Sequence, residues 1–176
     1  MNQLKILLTH EQIAAKVAEL GARITADFAG QPVLLVGVLK GAAIFLADLA
    51  RQISLDISFD FIAVSSYGNN THSGELKLIK DIDEPVEDKN VILVEDILDS
   101  GVTLMYLRKL LLARQPRSLK TVALLDKRAS RKVAIEAEYV GFQIPDRFVV
   151  GYGLDYAQRY RNLPHVCTME TSNHSE

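Results

Sequence analysis

VILVEDILDSGVTL, from Val91 to Leu104, begins as a continuous apolar run, meets two acids at Glu95 and Asp96, and ends in a small-residue turn that opens a second apolar stretch. A run of this kind is the pattern of a strand buried on both faces, and the turn after it reads as the start of a helix. In open α/β sheets, ligands bind beyond the carboxyl ends of the strands, and a helix N-terminus offers unpaired N–H groups and a partial positive charge. Strand, acids, turn and helix in this order describe a phosphate site. Ser100 and Thr103 add hydroxyl donors, and Gly101 lets the backbone approach an anion closely. A plain helix cap at Asp99 or Ser100 would account for the turn. It would not account for Glu95 and Asp96, because adjacent carboxylates ending an apolar strand repel one another and need a cation, hydroxyl donors or water as partners. Vicinal sugar hydroxyls and magnesium suit them.

On either side of this segment, strand and helix patterns alternate. Ile13, Val17, Leu20, Ile24 and Phe28 recur at helical spacing between His10 and Ala29, with Thr9 as N-cap. PVLLVGVL, from Pro32 to Leu39, is a second fully apolar strand. A helix from about Ala42 to Ile53, the run DISFDFIAV, a helix from about Thr103 to Ala113, the run SLKTVALLDK and a last ordered strand RFVVGYG (Arg147–Gly153) follow the same scheme. The fold class predicted is α/β, a central mainly parallel sheet flanked by helices, in a single domain over residues 1–176. Ser65 to Asp81 interrupts the rhythm, being polar, glycine-containing and longer than an ordinary connection. It reads equally as a flexible lid or as a surface hairpin turning at Gly68–Asn70 and Ser73–Gly74.

The bulk figures narrow the function. With 176 residues, 48% hydrophobic, and a formal net charge of −2, the chain can bury one sizeable core and has no overall basic field to attract nucleic acid. Cys167 is the one cysteine, which excludes an intramolecular disulfide. No stretch reaches the roughly 18 uninterrupted apolar residues of a membrane span, so no membrane partner and a cytoplasmic location are expected. His10, His72, His165 and His174 show no paired metal spacing, and neither a G-x-G-x-x-G nor a G-x-x-x-x-G-K-[ST] run follows a strand.

VILVEDILDSGVTL resembles the phosphoribosyl pyrophosphate signature of the type I phosphoribosyltransferases, specifically the hypoxanthine-guanine phosphoribosyltransferases. VGVLKGA (Val36–Ala42), SSYG (Ser65–Gly68), LLDKR (Leu124–Arg128) and FVVGYGLDYAQRYRNLP (Phe148–Pro164) extend the resemblance over most of the chain. It implies transfer of the 5-phosphoribosyl group from phosphoribosyl pyrophosphate to hypoxanthine or guanine, giving IMP or GMP and pyrophosphate, with Mg2+ as cofactor. It implies a small hood built from the terminal segments and a homo-oligomer, dimer or tetramer. Glu95 and Asp96 would hold the ribose hydroxyls and, with Asp155, assist magnesium. Asp99, Ser100, Gly101, Val102 and Thr103 would wrap the 5′-phosphate, and Asp99 would also accept a proton at purine N7. Lys40, Gly41 and Arg161 would contact pyrophosphate, with a cis peptide between Leu39 and Lys40. Lys127 would bond purine O6, Phe148 stack on the base and Val149 read its edge, with Asp155 beside them. Ser66 and Tyr67 would be the lid's ligand contacts.

Taken without that resemblance, several of these residues have plainer readings. Lys40 and Lys127 pass as solvated lysines, Phe148 and Val149 as core residues, and Asp155 and Arg161 as surface ion-pair partners. A nucleotide-sensing regulator of the same fold and an enzyme acting on xanthine or a pyrimidine also remain open.

Overall fold

A computed structural model describes residues 3–66 and 76–170 of the chain. In chain order the elements are β1 (Gln3–Leu8), α1 (His10–Asp27), β2 (Val33–Val38), α2 (Ala43–Ala50), β3 (Ile57–Ser66), β4 (Leu76–Lys80), β5 (Asn90–Leu98), α3 (Val102–Leu112), β6 (Ser118–Asp126), β7 (Tyr139–Gln143), β8 (Val149–Val150) and β9 (Val166–Glu170). The main sheet runs β4-β3-β2-β5-β6-β7. β2 pairs in parallel with β3 and β5, and β5, β6 and β7 continue in parallel, while β4 is an antiparallel edge strand.

Alternate residues of β2 and β5 serve opposite faces, as the two-residue period of a strand requires. Leu35, Ile92 and Val94 pack with Ile13, Val17, Leu20 and Ile24 of α1 and with Phe45, Leu46 and Leu49 of α2. Leu34, Val36, Val91 and Leu93 pack with Leu104, Leu107 and Leu111 of α3 on the other side. Every residue of β2 is buried, the expected outcome for a strand covered by helices on both faces. Each buried valine or leucine side chain there contributes about 1.5–3 kcal/mol. α1 begins where predicted: Thr9 Oγ1 accepts from Gln12 N at 3.3 Å and Gln12 Oε1 accepts from Thr9 N at 2.8 Å, a reciprocal capping box.

Three expectations need correction. Arg147–Gly153 is not the last ordered strand. Only Val149 and Val150 are extended there, because Gly151, Tyr152 and Gly153 adopt φ of 99°, 50° and 99° and turn the chain. Val166–Glu170 follows, and it pairs antiparallel with both β1 and β8 to give a separate sheet, β1-β9-β8, built from the two terminal segments. The loop predicted over Ser65 to Asp81 is shorter at both described flanks, since Ser65 and Ser66 end β3 and pair with Lys77 and Leu76 of β4. Finally, α2 stops at Ala50 rather than Ile53; Ile53 is buried without being helical.

Candidate active site

Parallel pairing puts the carboxyl ends of β2, β5 and β6 along one edge of the sheet. Lys40 follows β2, Glu95 and Asp96 lie in the last part of β5, and Lys127 follows β6, where its N–H donates to Leu98 O at 2.9 Å. The Leu39–Lys40 peptide bond is cis. Edge and topology thus gather side chains that are far apart in sequence. A cavity of about 200 Å³ at this edge is lined by Glu95, Asp96, Asp99, Gly101 and Thr103. A hollow of about 270 Å³ lies at the opposite ends of β2, β3 and β5, but it is lined by Asp56, Lys89, Asn90 and Arg117 and has no comparable turn or acid pair.

Glu95 is buried, and burial, then the charges of Asp96 and Asp99, pushes its carboxyl well above the ordinary carboxylate range. Burial likewise raises Asp96, from 3.8 to about 6, against the opposing effect of the Ile97 N–H, which donates to Asp96 Oδ1 at 2.8 Å. Both acids therefore sit in a field that a cation or hydroxyl donors would relieve. Asp96 is also wedged against the backbone after β2. A Cβ on Gly41 would come within 1.7 Å of Asp96 Oδ2, so any larger residue there would displace this carboxylate from its place.

The turn between β5 and α3 is built by Gly101 at φ 80°, a left-handed conformation that glycine takes without strain. Asp99 does not cap the helix. Its Oδ1 accepts from the neighbouring Ser100 N at 2.5 Å, while Val102 N donates to Ser100 Oγ at a long 3.4 Å. Within the turn the N–H groups of Asp99 and Gly101 have no acceptor among the described residues. On the far side of the turn, Arg131 donates from Nε to Asp99 O at 2.8 Å and from Nη2 to Leu98 O at 3.3 Å, and it pairs with the buried carboxylate of Asp126.

The segment after β8 closes over β2. A Cβ on Gly153 would lie 2.1 Å from Gly41 O, so the two backbones touch where both lack side chains. Arg161 Nη1 donates to Gly153 O at 2.7 Å, and its Nη2 pairs with Asp155 Oδ1 at 2.8 Å. Asp155 Oδ2 accepts from Gln158 N at 2.8 Å. The two residues expected at magnesium and pyrophosphate thus neutralise one another here. Gln158 Oε1 links them to the chain after β2, accepting from Lys40 Nζ at 3.4 Å and Arg161 Nη2 at 3.3 Å.

Val149 is buried, as a core residue would be, but Phe148 is 49% exposed and meets the Tyr156 ring edge-on, with centroids 5.8 Å apart and planes at 84°. Core packing therefore does not explain Phe148. The Lys127 side chain is largely buried, with Nζ 3.9 Å from Asp146, two residues before Phe148. Of the residues expected in the lid, Tyr67 lies outside the described residues and Ser66 is described only as backbone at the end of β3.

Arg131, Asp126 and Gln158 escaped the sequence reading. Asp126 lies within LLDKR and Arg131 stands three residues after it, but nothing in the sequence aims the Arg131 side chain back at Leu98 and Asp99. Gln158 sits at φ 65° in a run of polar residues and carries no pattern of its own.

A phosphoribosyl transferase domain model matches residues 3–157. The hypoxanthine-guanine phosphoribosyltransferase of Bacillus subtilis is 53% identical over 163 residues, covering 92% of this chain and 91% of its own. The bifunctional protein TilS/HprT of Listeria innocua is 51% identical over 173 residues; these cover 98% of this chain, which spans only 27% of that longer protein. Among solved structures, a hypoxanthine-guanine phosphoribosyltransferase from Bacillus anthracis superposes with a TM-score of 0.91 at 47% identity, covering 97% of this chain and 100% of that one. Sheet order, the acidic strand end with its anion-ready turn, and these likenesses agree: the chain belongs to the phosphoribosyl transferase family, among its hypoxanthine-guanine phosphoribosyltransferases.

Proposed function

We propose that the chain serves purine salvage by transferring the 5-phosphoribosyl group of phosphoribosyl pyrophosphate to hypoxanthine or guanine, with IMP or GMP and pyrophosphate as products. The observation that carries this reading is the turn after β5, whose Asp99 and Gly101 N–H groups lack acceptors among the described residues, next to two carboxylates raised first by burial and then by neighbouring carboxylate charge. An anion on the N–H groups and diol hydroxyls on the acids would satisfy both at once.

In this reading Ser100 to Thr103 bind the 5′-phosphate, while Glu95 and Asp96 accept from the ribose hydroxyls and so fix C1 of the sugar towards Lys127 and Phe148. Phe148 supplies an exposed ring for the base to stack on. Lys127 donates to O6, and the Asp99 carboxylate takes the proton at N7 as N9 attacks C1 and the bond to pyrophosphate breaks. Lys40 and Arg161 receive the leaving pyrophosphate, which requires Arg161 to exchange its contact with Asp155 for the ligand. The segment joining β3 to β4, to which the expected ligand contacts Ser66 and Tyr67 belong, would act as the lid that keeps out water able to hydrolyse the donor.

No group of three or more acidic, histidine or cysteine side chains suited to a metal occurs among the described residues. Magnesium commonly uses one or two carboxylates together with substrate phosphates, and the oxygen donors of Glu95, Asp96 and Asp155 fit that mode. When bound, Mg2+ supplies charge neutralisation of the leaving group. The reading extends to a cytoplasmic homo-oligomer, dimer or tetramer.

The test is to incubate the protein with phosphoribosyl pyrophosphate, magnesium and one base at a time, and to separate the products. Hypoxanthine should give IMP and guanine GMP, each abolished by a chelator. Adenine should react at least about 100-fold more slowly, because its amine opposes the Lys127 ammonium. Equal kcat/KM for adenine and hypoxanthine, or full turnover without metal, would overturn the reading.

A further inference from the structure

The phosphate turn has carbonyls as well as N–H groups, and those of three successive residues, Leu98 to Ser100, are held from the same side. Leu98 O accepts from Lys127 N at 2.9 Å and from Arg131 Nη2 at 3.3 Å, Asp99 O from Arg131 Nε at 2.8 Å, and Ser100 O from Lys132 N at 2.9 Å. The peptide bonds joining these residues are trans, the one cis bond among the described residues being Leu39–Lys40. In a trans peptide the C=O and the next N–H point in opposite directions. Fastening the carbonyls of residues 98, 99 and 100 to the 127–132 segment therefore turns the N–H groups of residues 99, 100 and 101 away from it; the Ser100 N–H meets Asp99 Oδ1, and those of Asp99 and Gly101, both of which line the cavity, keep no acceptor among the described residues.

Arg131 is the centre of that fastening. Its Nη1 donates to Ile135 O at 2.5 Å, its Nη2 pairs with Asp126, and its side chain is only 15% exposed. The hydrocarbon stem also packs on the turn: a Cβ on Gly101 would meet Arg131 Cδ at 3.0 Å and Ile135 Cγ2 at 2.6 Å. A guanidinium can hold two carbonyls of one turn and a carboxylate together because its five donors lie in a fixed plane, and an ammonium cannot.

We propose that Arg131 is a positioning residue that orients the N–H groups of the turn, and so sets the affinity for the phosphoribosyl donor without touching it. The proposal rests on the phosphoribosyl transfer reading above.

The test compares wild type with Arg131→Lys, which keeps the charge facing Asp126 but loses the fork across Leu98 O and Asp99 O. Calorimetric Kd for phosphoribosyl pyrophosphate with magnesium should rise at least about tenfold, the worth of one charge-assisted hydrogen bond. KM for hypoxanthine at saturating donor should stay within about twofold, on the order of the 0.5 kcal/mol scatter of changes remote from a contact. Donor Kd at the wild-type value would overturn the proposal, and so would a parallel loss for donor and base, since that would mark a general structural role. Should Arg131→Lys fail to fold, Asp126→Asn carries the test: it unclamps the far end of the guanidinium, and donor Kd should rise about threefold or more with hypoxanthine KM unchanged. An unaltered donor Kd in that variant overturns the proposal equally. Failure of wild type itself to bind the donor would instead remove the transfer reading, so the two failures are distinct.

Discussion

Replacing Asp96 with asparagine should make the ligand-free protein more stable at neutral pH. Burial raises the Asp96 carboxyl from 3.8 to about 6, which means that the folded state disfavours its ionised form. At about 1.4 kcal/mol per pKa unit, ionising it in the fold costs ~3 kcal/mol more than in the unfolded chain. The sign follows from proton counting. Between the ordinary value and about 6 the folded state holds a proton that the unfolded state has released, so stability falls as pH rises through that window and stays lower above it. Asparagine carries no charge, and its Oδ1 can still accept from Ile97 N as Asp96 does at 2.8 Å. Urea unfolding of Asp96→Asn should therefore show a midpoint about 1 M or more above wild type at pH ~8. The difference should vanish near pH ~4, where Asp96 is protonated and asparagine merely mimics it. Asp81, lowered by its hydrogen bonds to Arg114, loses its contribution only below the ordinary carboxylate value and cancels between the two proteins. No gain at pH ~8, or the same gain at both pH values, would refute the reasoning.

Asp99→Asn should lower kcat by about 10²–10⁴-fold while leaving donor affinity nearly intact, because the turn is shaped by Gly101 and by its fastened carbonyls rather than by this carboxylate. A wild-type kcat measured in a folded variant would take Asp99 out of the mechanism. Gly41→Ala should be among the most damaging single-methyl additions, since its Cβ would lie 1.7 Å from Asp96 Oδ2 and force the carboxylate away from its place. Overpacking of this kind costs typically ~1–3 kcal/mol, and urea unfolding together with donor Kd would register both effects. Unchanged values would show that Asp96 can move freely.

Much of the site was legible because its residues sit next to unmistakable elements. The runs VLLVGV and NVILV are apolar throughout, so burial on both faces was the simple reading, and the residues after them had to lie at the sheet edge. The terminal sheet was not legible. β8 has two residues, β9 mixes Cys, Thr and Met, and β1 leaves Ile6 54% exposed, so none of them shows a clean two-residue alternation. β4 does alternate, as LKLIK, but it is embedded in a polar stretch that dominated the reading. Side-chain partners were the least legible of all. Arg161 pairs with Asp155 and Arg131 with Asp126, and such choices depend on distances through space that spacing along the chain does not encode.

The pairing of β1 with β9 sets an order of events during synthesis. Gln3 finds its partner at Glu170 and Lys5 at Thr168, so the first described strand waits for the last described strand to leave the ribosome. The main sheet uses only β2 to β7, whose helices and strands emerge earlier and can pack as they appear. The nascent chain would thus carry its phosphate turn before it can lay Gly153 on Gly41 and bring Arg161 into place. A growing polypeptide in that interval has a half-built site, and the donor meets a complete one only once translation has passed the closing strand.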